Sequence, residues 1–181
     1  MAKFEEKTIT SETIYEGKII DLRVEEVELP NGKRSSRELI KHPGAVAVIA
    51  LTDQGKIVLV EQFRKALERT IIEIPAGKID PGEQPELTAA RELEEETGYR
   101  AGSLEYLQSF ATSPGFADEI IHLYVAQDLE RVDNPAEGDE DEFLNVLECT
   151  LKQAETMVED GRIYDAKTAF AVLYVKQRFP G

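Results

Sequence analysis

Most apolar residues in this chain fall at the spacing of strands. Residues 8–15 and 19–29 are rich in β-branched side chains, with alternation at Leu22 and Val24 and, after a shift, at Val27 and Leu29. Pro30-Asn31-Gly32 is a turn signal, and Arg34–Lys41 predicts the returning strand of a hairpin before Pro43-Gly44 breaks the chain. Ala45–Leu51 is apolar throughout, the pattern of a strand buried on both faces. Beyond the turn Asp53-Gln54-Gly55, strands are predicted at 56–63, 70–75, 104–109, 120–126 and 144–149, with Asp118-Glu119 at a loop edge. Helical spacing is confined to a segment from Pro85 to Gly98 and to residues 151–160 and 166–179. The last helix shows an apolar stripe at Phe170, Leu173 and Tyr174 and stops before Pro180. Many strands and few helices suit a mixed sheet between helical layers, an α+β arrangement.

The stretch from Gly77 to Tyr99 reads GKIDPGEQPELTAARELEEETGY. Pro85 suits a first helical turn, where its missing N–H costs nothing, and Gly98 suits the position just past the end. Leu87, Ala90 and Leu93 recur at threefold spacing and predict an inner face, with the glutamates on the other side. Glu92, Glu95 and Glu96 stand at i, i+3 and i+4, so they share a face. Like charges so placed destabilise a helix by a few tenths of a kcal/mol per pair. Something positive is therefore expected there. Mg2+ is usually held by a few carboxylates together with substrate phosphates and water.

This stretch resembles the Nudix box, G-x5-E-x7-R-E-U-x-E-E-x-G-U, with U a bulky apolar residue. Gly77, Glu83, Arg91, Glu92, Leu93, Glu95, Glu96, Gly98 and Tyr99 match in type and spacing, except that Tyr99 is aromatic where an aliphatic residue is usual. That departure touches packing rather than chemistry. The resemblance implies the Nudix fold, an α/β/α sandwich around a mixed β-sheet, over residues 43–181. Residues 1–42 form a β-rich extension similar to that of ADP-ribose pyrophosphatases, which implies a homodimer formed through it.

Length and charge narrow the picture. At 181 residues this is one domain, or one with an extension, long enough for a core without staples. A net charge of −15 and a pI near 4.6 disfavour nucleic acid and anionic membranes as partners. An anionic substrate still binds where metal ions bridge it to carboxylates. Cys149 is the single cysteine, which excludes an intrachain disulfide and fits a reducing compartment. Residues 1–10 have no apolar core and no apolar run is long enough to span a bilayer, so a cytoplasmic chain is expected. GxxxxGK[ST], HExxH and GxSxG motifs are missing, and His42 and His122 are read as structural.

The implied reaction is ADP-ribose plus water giving AMP and ribose 5-phosphate, with Mg2+ as cofactor and Mn2+ as a substitute. Glu92 and Glu96, one turn apart, are the favoured metal ligands; Glu95 bridges a further ion, and the resemblance adds the carbonyl of Ala76. Arg91 is read first as an orienting residue, paired with Glu95 or Glu83, and second as a phosphate clamp. The general base is open between box glutamates such as Glu95 and the acidic loop 137–142, where the resemblance favours Glu140, then Glu142. For substrate, the resemblance points to Pro114, fifteen positions beyond Tyr99, to Arg64 in the sequence EQFR, to Arg37, and to Glu119 as a ribose contact. The phenylalanine that stacks adenine in relatives has no counterpart near Ile19 and Ile20. Two rivals stand beside this reading. One is another nucleoside diphosphate sugar, such as GDP-mannose. The other is a non-enzymatic module that senses ADP-ribose.

Overall fold

Residues 3–135 and 143–179 are described by a computed structural model. The chain divides into two compact units, Met1–Gly44 with Phe110–Ile121, and Ala45–Ser109 with His122–Gly181.

In the first unit, β1 (Lys7–Glu16), β2 (Asp21–Glu28) and β3 (Arg34–Lys41) form an antiparallel sheet in that order. The β2–β3 hairpin runs in unbroken register from Asp21↔Lys41 to Glu28↔Arg34. Its turn is the one predicted: Gly32 takes φ +77° and donates its N–H to the Leu29 carbonyl at 2.8 Å. Strand β1 is exposed at every position. The segment 110–121 joins this unit through a parallel bridge, Ile40↔Ala117, with the Ile40 N–H donating to the Phe116 carbonyl at 2.7 Å.

The second unit holds β4 (Ala45–Leu51), β5 (Ile57–Arg64), β6 (Arg69–Glu73), β7 (Ala76–Lys78), α1 (Pro85–Thr97), β10 (Leu144–Cys149), α2 (Leu151–Glu159) and α3 (Ala166–Arg178). Two further strands, β8 (Tyr99–Ala111) and β9 (Ile120–Arg131), are longer than their apolar patterns predict. The main sheet is mixed, in the order β10-β5-β4-β9-β8, with β6 paired to β5 and β7 to β4. All seven residues of β4 are buried, as its unbroken apolar run requires of a strand covered on both sides. The core beside it gathers Val46, Val48, Ala50, Val58, Ala89, Leu93, Tyr99, Tyr124 and Ala126. Each fully buried Val or Leu contributes about 1.5–3 kcal/mol of burial.

Two helical faces differ from expectation. On α1, Leu87 and Ala90 are exposed, and the buried residues are Thr88, Ala89, Glu92, Leu93, Glu96 and Thr97. The true stripe steps by three and four, whereas strict threefold spacing drifts off one face of a 3.6-residue helix. The glutamates Glu92 and Glu96 therefore point inward, not outward. On α3, Leu173 is exposed and the buried stripe is Thr168, Ala171, Val172 and Val175, at i, i+3, i+4 and i+7. Small residues carry that face, so the large apolar ones misled the phase.

Candidate active site

The site is built where β7 runs beside α1. Pairing of Ala47↔Ala76 and Val46↔Gly77 fixes β7, a strand the sequence does not predict, against the buried β4. Helix α1 begins at Pro85 and ends at Gly98, whose φ of +69° lets its N–H cap the Glu94 carbonyl at 2.8 Å. Between these fixed elements there is no room for a side chain at residue 77. A Cβ on Gly77 would lie 1.9 Å from the Glu92 carboxyl carbon and 2.0 and 2.3 Å from its oxygens. Close approach, not backbone freedom, is what demands glycine here. The neighbouring Ala76 N–H donates to Glu96 Oε2 at 2.9 Å. Glu92 and Glu96 are 8% and 4% exposed, so two carboxylates one turn apart are pressed on this short strand.

Arg91 ties the remaining carboxylates together. Its Nε and Nη2 donate to the two oxygens of Glu83 at 3.2 and 3.0 Å, and its Nη1 donates to Glu92 Oε1 at 2.9 Å and Glu95 Oε2 at 2.8 Å. Glu83 also accepts from Thr88 Oγ1 at 2.9 Å. The Glu83 hydrogen bond, with the charges of Glu92 and Glu95, holds the Arg91 guanidinium above its ordinary range despite burial, and the same hydrogen bond holds Glu83 below the usual carboxylate range. Every guanidinium nitrogen of Arg91 is engaged by a carboxylate, which suits the orienting role and leaves no fork for a phosphate.

Arg64, at the end of β5, differs in this respect. Its Nε donates to Glu73 Oε2 at 2.5 Å, and among the described residues its two terminal nitrogens make no hydrogen bond. Burial disfavours its charge, but Glu73, Glu96 and Asp165 outweigh that and hold its pKa above the ordinary value. The sequence reading missed Glu73, Lys167 and Asp165. An acid inside the apolar run of β6, and a lysine in the first turn of α3, were the available signals.

The other predicted positions lie in the first unit or outside the described residues. Arg37 there spends its donors on Glu6, at 2.8 and 2.6 Å, on Ser35 Oγ at 2.8 Å and on the Ser36 carbonyl at 2.9 Å. Glu119 accepts from Thr112 Oγ1 and stands 3.7 Å from His42 Nδ1, which itself accepts the Gly44 N–H. Pro114 lies in a turn closed by the N–H groups of Phe116 and Ala117 on the Ser113 carbonyl. In the second unit, His122 Nδ1 meets Ser109 Oγ at 2.7 Å. Glu140 and Glu142 lie outside the described residues. Tyr99 is buried, donates its hydroxyl to Glu148 Oε1 at 2.6 Å, and takes the Arg131 guanidinium over its ring at 4.9 Å, so its departure from the box does serve packing.

The donors suit a hard divalent cation, since the two buried carboxylates Glu92 and Glu96, with Glu95 and the Ala76 carbonyl, are all oxygens. The missing side chain at Gly77 is what lets the Glu92 carboxylate sit against the strand. Among the described residues no three Asp, Glu, His or Cys side chains are already converged on one point, and Arg91 holds Glu92 and Glu95 toward itself.

Residues 41–170 match the NUDIX domain. The chain belongs to the Nudix family. Residues 6–40 match a nucleoside diphosphate sugar hydrolase N-terminal domain. An ADP-ribose pyrophosphatase of Bacillus subtilis is 60% identical over 176 residues, 97% of this chain and 95% of that protein. A methanol dehydrogenase activator of Bacillus methanolicus is 59% identical, covering 96% of this chain and 94% of its own length. A solved structure described as an ADP compounds hydrolase superposes with a TM-score of 0.85 at 25% identity, over 98% of this chain and 95% of that one. The architecture is thus the Nudix fold, and the chain is a Nudix pyrophosphatase. Among the described residues, no helix is long and apolar enough to cross a membrane.

Proposed function

We propose that this Nudix hydrolase cleaves the diphosphate of ADP-ribose, with water, to AMP and ribose 5-phosphate. The observation that carries the reading is the pair of buried carboxylates, Glu92 and Glu96, one helical turn apart and seated on β7. A bound Mg2+, or Mn2+ in its place, would be held by Glu92, Glu96, Glu95 and the Ala76 carbonyl. It would neutralise phosphate charge and lower the pKa of bound water. The chain's own residues do the rest. Arg91, itself fixed by Glu83, tethers Glu92 and Glu95 beside one another, and a bound cation would draw them from it. The two terminal nitrogens of Arg64, which make no hydrogen bond among the described residues, offer a planar fork to a phosphate. A carboxylate takes the proton of the attacking water, with Glu140 first and Glu142 second by the family resemblance, and Glu95 as the box alternative. Arg37, Pro114 and Glu119 are carried as substrate contacts on that resemblance alone. A cytoplasmic homodimer assembled through residues 1–42, preceding a catalytic domain of residues 43–181, completes the proposal.

Another nucleoside diphosphate sugar, such as GDP-mannose, would use the same carboxylates, and the match of residues 6–40 is to nucleoside diphosphate sugar hydrolases as a class, which takes in both substrates. The test of the metal site is Glu96→Gln. The amide oxygen can still accept the Ala76 N–H, so the fold is kept, while a charged ligand is lost. Turnover in Mg2+ is expected to fall by at least ~10²-fold with an unchanged melting temperature. Near-normal turnover would remove Glu96 from the metal site.

A further inference from the structure

Beneath Arg64 lies a charge network that the reaction as described does not use. Glu73 is 3% exposed, and both of its oxygens are occupied: Oε2 by Arg64 Nε and Oε1 by Lys167 Nζ. Lys167, whose side chain is 11% exposed, also donates to Asp165 Oδ1 at 3.0 Å. Asp165 caps α3 by accepting the Thr168 N–H at 3.2 Å. Two cations and two carboxylates thus close into a neutral chain leading from the first turn of α3 to a half-exposed arginine.

Two of the links, Lys167 and Glu73, break a local rule. Lys167 sits at the positive end of a helix, where a cation is disfavoured. Glu73 ends the strand RTIIE, pairing with Val60, which is fully buried. A buried ion pair is weak as a stabilising device, since apolar residues of similar volume often serve as well or better. Such local violations without a gain in stability are expected at functional positions. The register explains the reach. Val60↔Glu73 places Glu73 on the same face of β5 as Arg64, four residues further along, so the arginine chain folds back along the strand to meet it. That contact takes Nε and, among the described residues, leaves the two terminal nitrogens without a hydrogen bond.

We infer that Glu73 is a positioning residue, anchored by Lys167, that fixes the Arg64 guanidinium for the diphosphate of the substrate. The inference rests on the reading of Arg64 as a phosphate contact. Glu73 itself touches no substrate; it removes the rotamer freedom that an arginine otherwise loses on binding.

A double-mutant cycle tests it, with kcat and KM for ADP-ribose measured in saturating Mg2+ on wild type, Arg64→Ala, Glu73→Gln and the pair. Arg64→Ala is expected to raise KM by about tenfold or more, the scale of a lost charge-assisted hydrogen bond. Glu73→Gln is expected to raise KM severalfold with kcat within about threefold, and to add nothing in the Arg64→Ala background. If Glu73→Gln does not fold, the Glu73→Leu/Lys167→Met pair carries the same test, because it replaces the buried ions with apolar volume. It is expected to melt at or above the wild-type temperature and still raise KM. Multiplicative effects, a fall in kcat alone, or an unchanged KM in the Glu73 variant beside a raised KM in Arg64→Ala would overturn the positioning role. An unchanged KM in Arg64→Ala would overturn the Arg64 reading and the inference with it.

Discussion

A single methyl group added at Gly77 tests how tightly the carboxylate cradle is built. In Gly77→Ala the new Cβ falls 1.9 Å from the Glu92 carboxyl carbon. Carbon atoms rest at about 3.5 Å or more, so the two must part by roughly 1.6 Å. β7 cannot yield easily, because Ala76 and Gly77 pair with Ala47 and Val46 on a strand that is wholly buried. Glu92 must move instead, and it is held by Arg91 Nη1 at 2.9 Å. Overpacking of this kind costs about 1–3 kcal/mol of stability. Misplacing a group at the reacting centre by about 1 Å costs on the order of 10² in rate. Steady-state hydrolysis of ADP-ribose in Mg2+, beside a thermal melt, is the assay. The expected result is a lowered melting temperature and a kcat reduced about 10²-fold. A kcat within twofold of wild type would show that Glu92 tolerates the shift and that its seat on Gly77 does not set the chemistry.

Tyr99→Phe deletes the hydroxyl that donates to Glu148 and is expected to cost about 1 kcal/mol in chemical denaturation while leaving kcat within about twofold. A large fall in kcat would move Tyr99 from packing to catalysis. Burial pushes the Cys149 thiol up to about 11, so the folded enzyme is expected to resist thiol-specific reagents at pH 8 and to react once unfolded. With its folded pKa above the unfolded one, the stability this thiol lends is complete below the ordinary thiol range and is lost as pH rises through about 11. Rapid labelling of the native protein would contradict that burial.

Strands and punctuation were legible because they rest on local chemistry. The run Ala45–Leu51, the turn at Gly32 and the bounds of α1 at Pro85 and Gly98 each follow from a few residues and were found where expected. The phase of α1 was not legible. Four of its six buried residues are Thr88, Glu92, Glu96 and Thr97, which a hydrophobic pattern scores as surface, whereas Leu87 is 62% exposed. Glu92 and Glu96 are buried although charged, and that inverts the rule by which a helix face is read. Arg91 illustrates the opposite case, since its i+4 step to Glu95 was visible in the chain and its reach to Glu83 followed from the loop. The network of Glu73, Lys167 and Asp165 depends on β6 and α3, nearly a hundred residues apart, meeting in space. No window of sequence holds that contact. Only the acid in an apolar strand and the cation at the wrong helix end hinted at it.

The most direct test of the account is hydrolysis measured across ADP-ribose, GDP-mannose, NADH and nucleoside triphosphates, with Mg2+ and with a chelator. The account predicts turnover that needs the metal and is strongest on ADP-ribose, releasing AMP and ribose 5-phosphate. Turnover that survives the chelator, or tight ADP-ribose binding with no cleavage of any substrate, would contradict it.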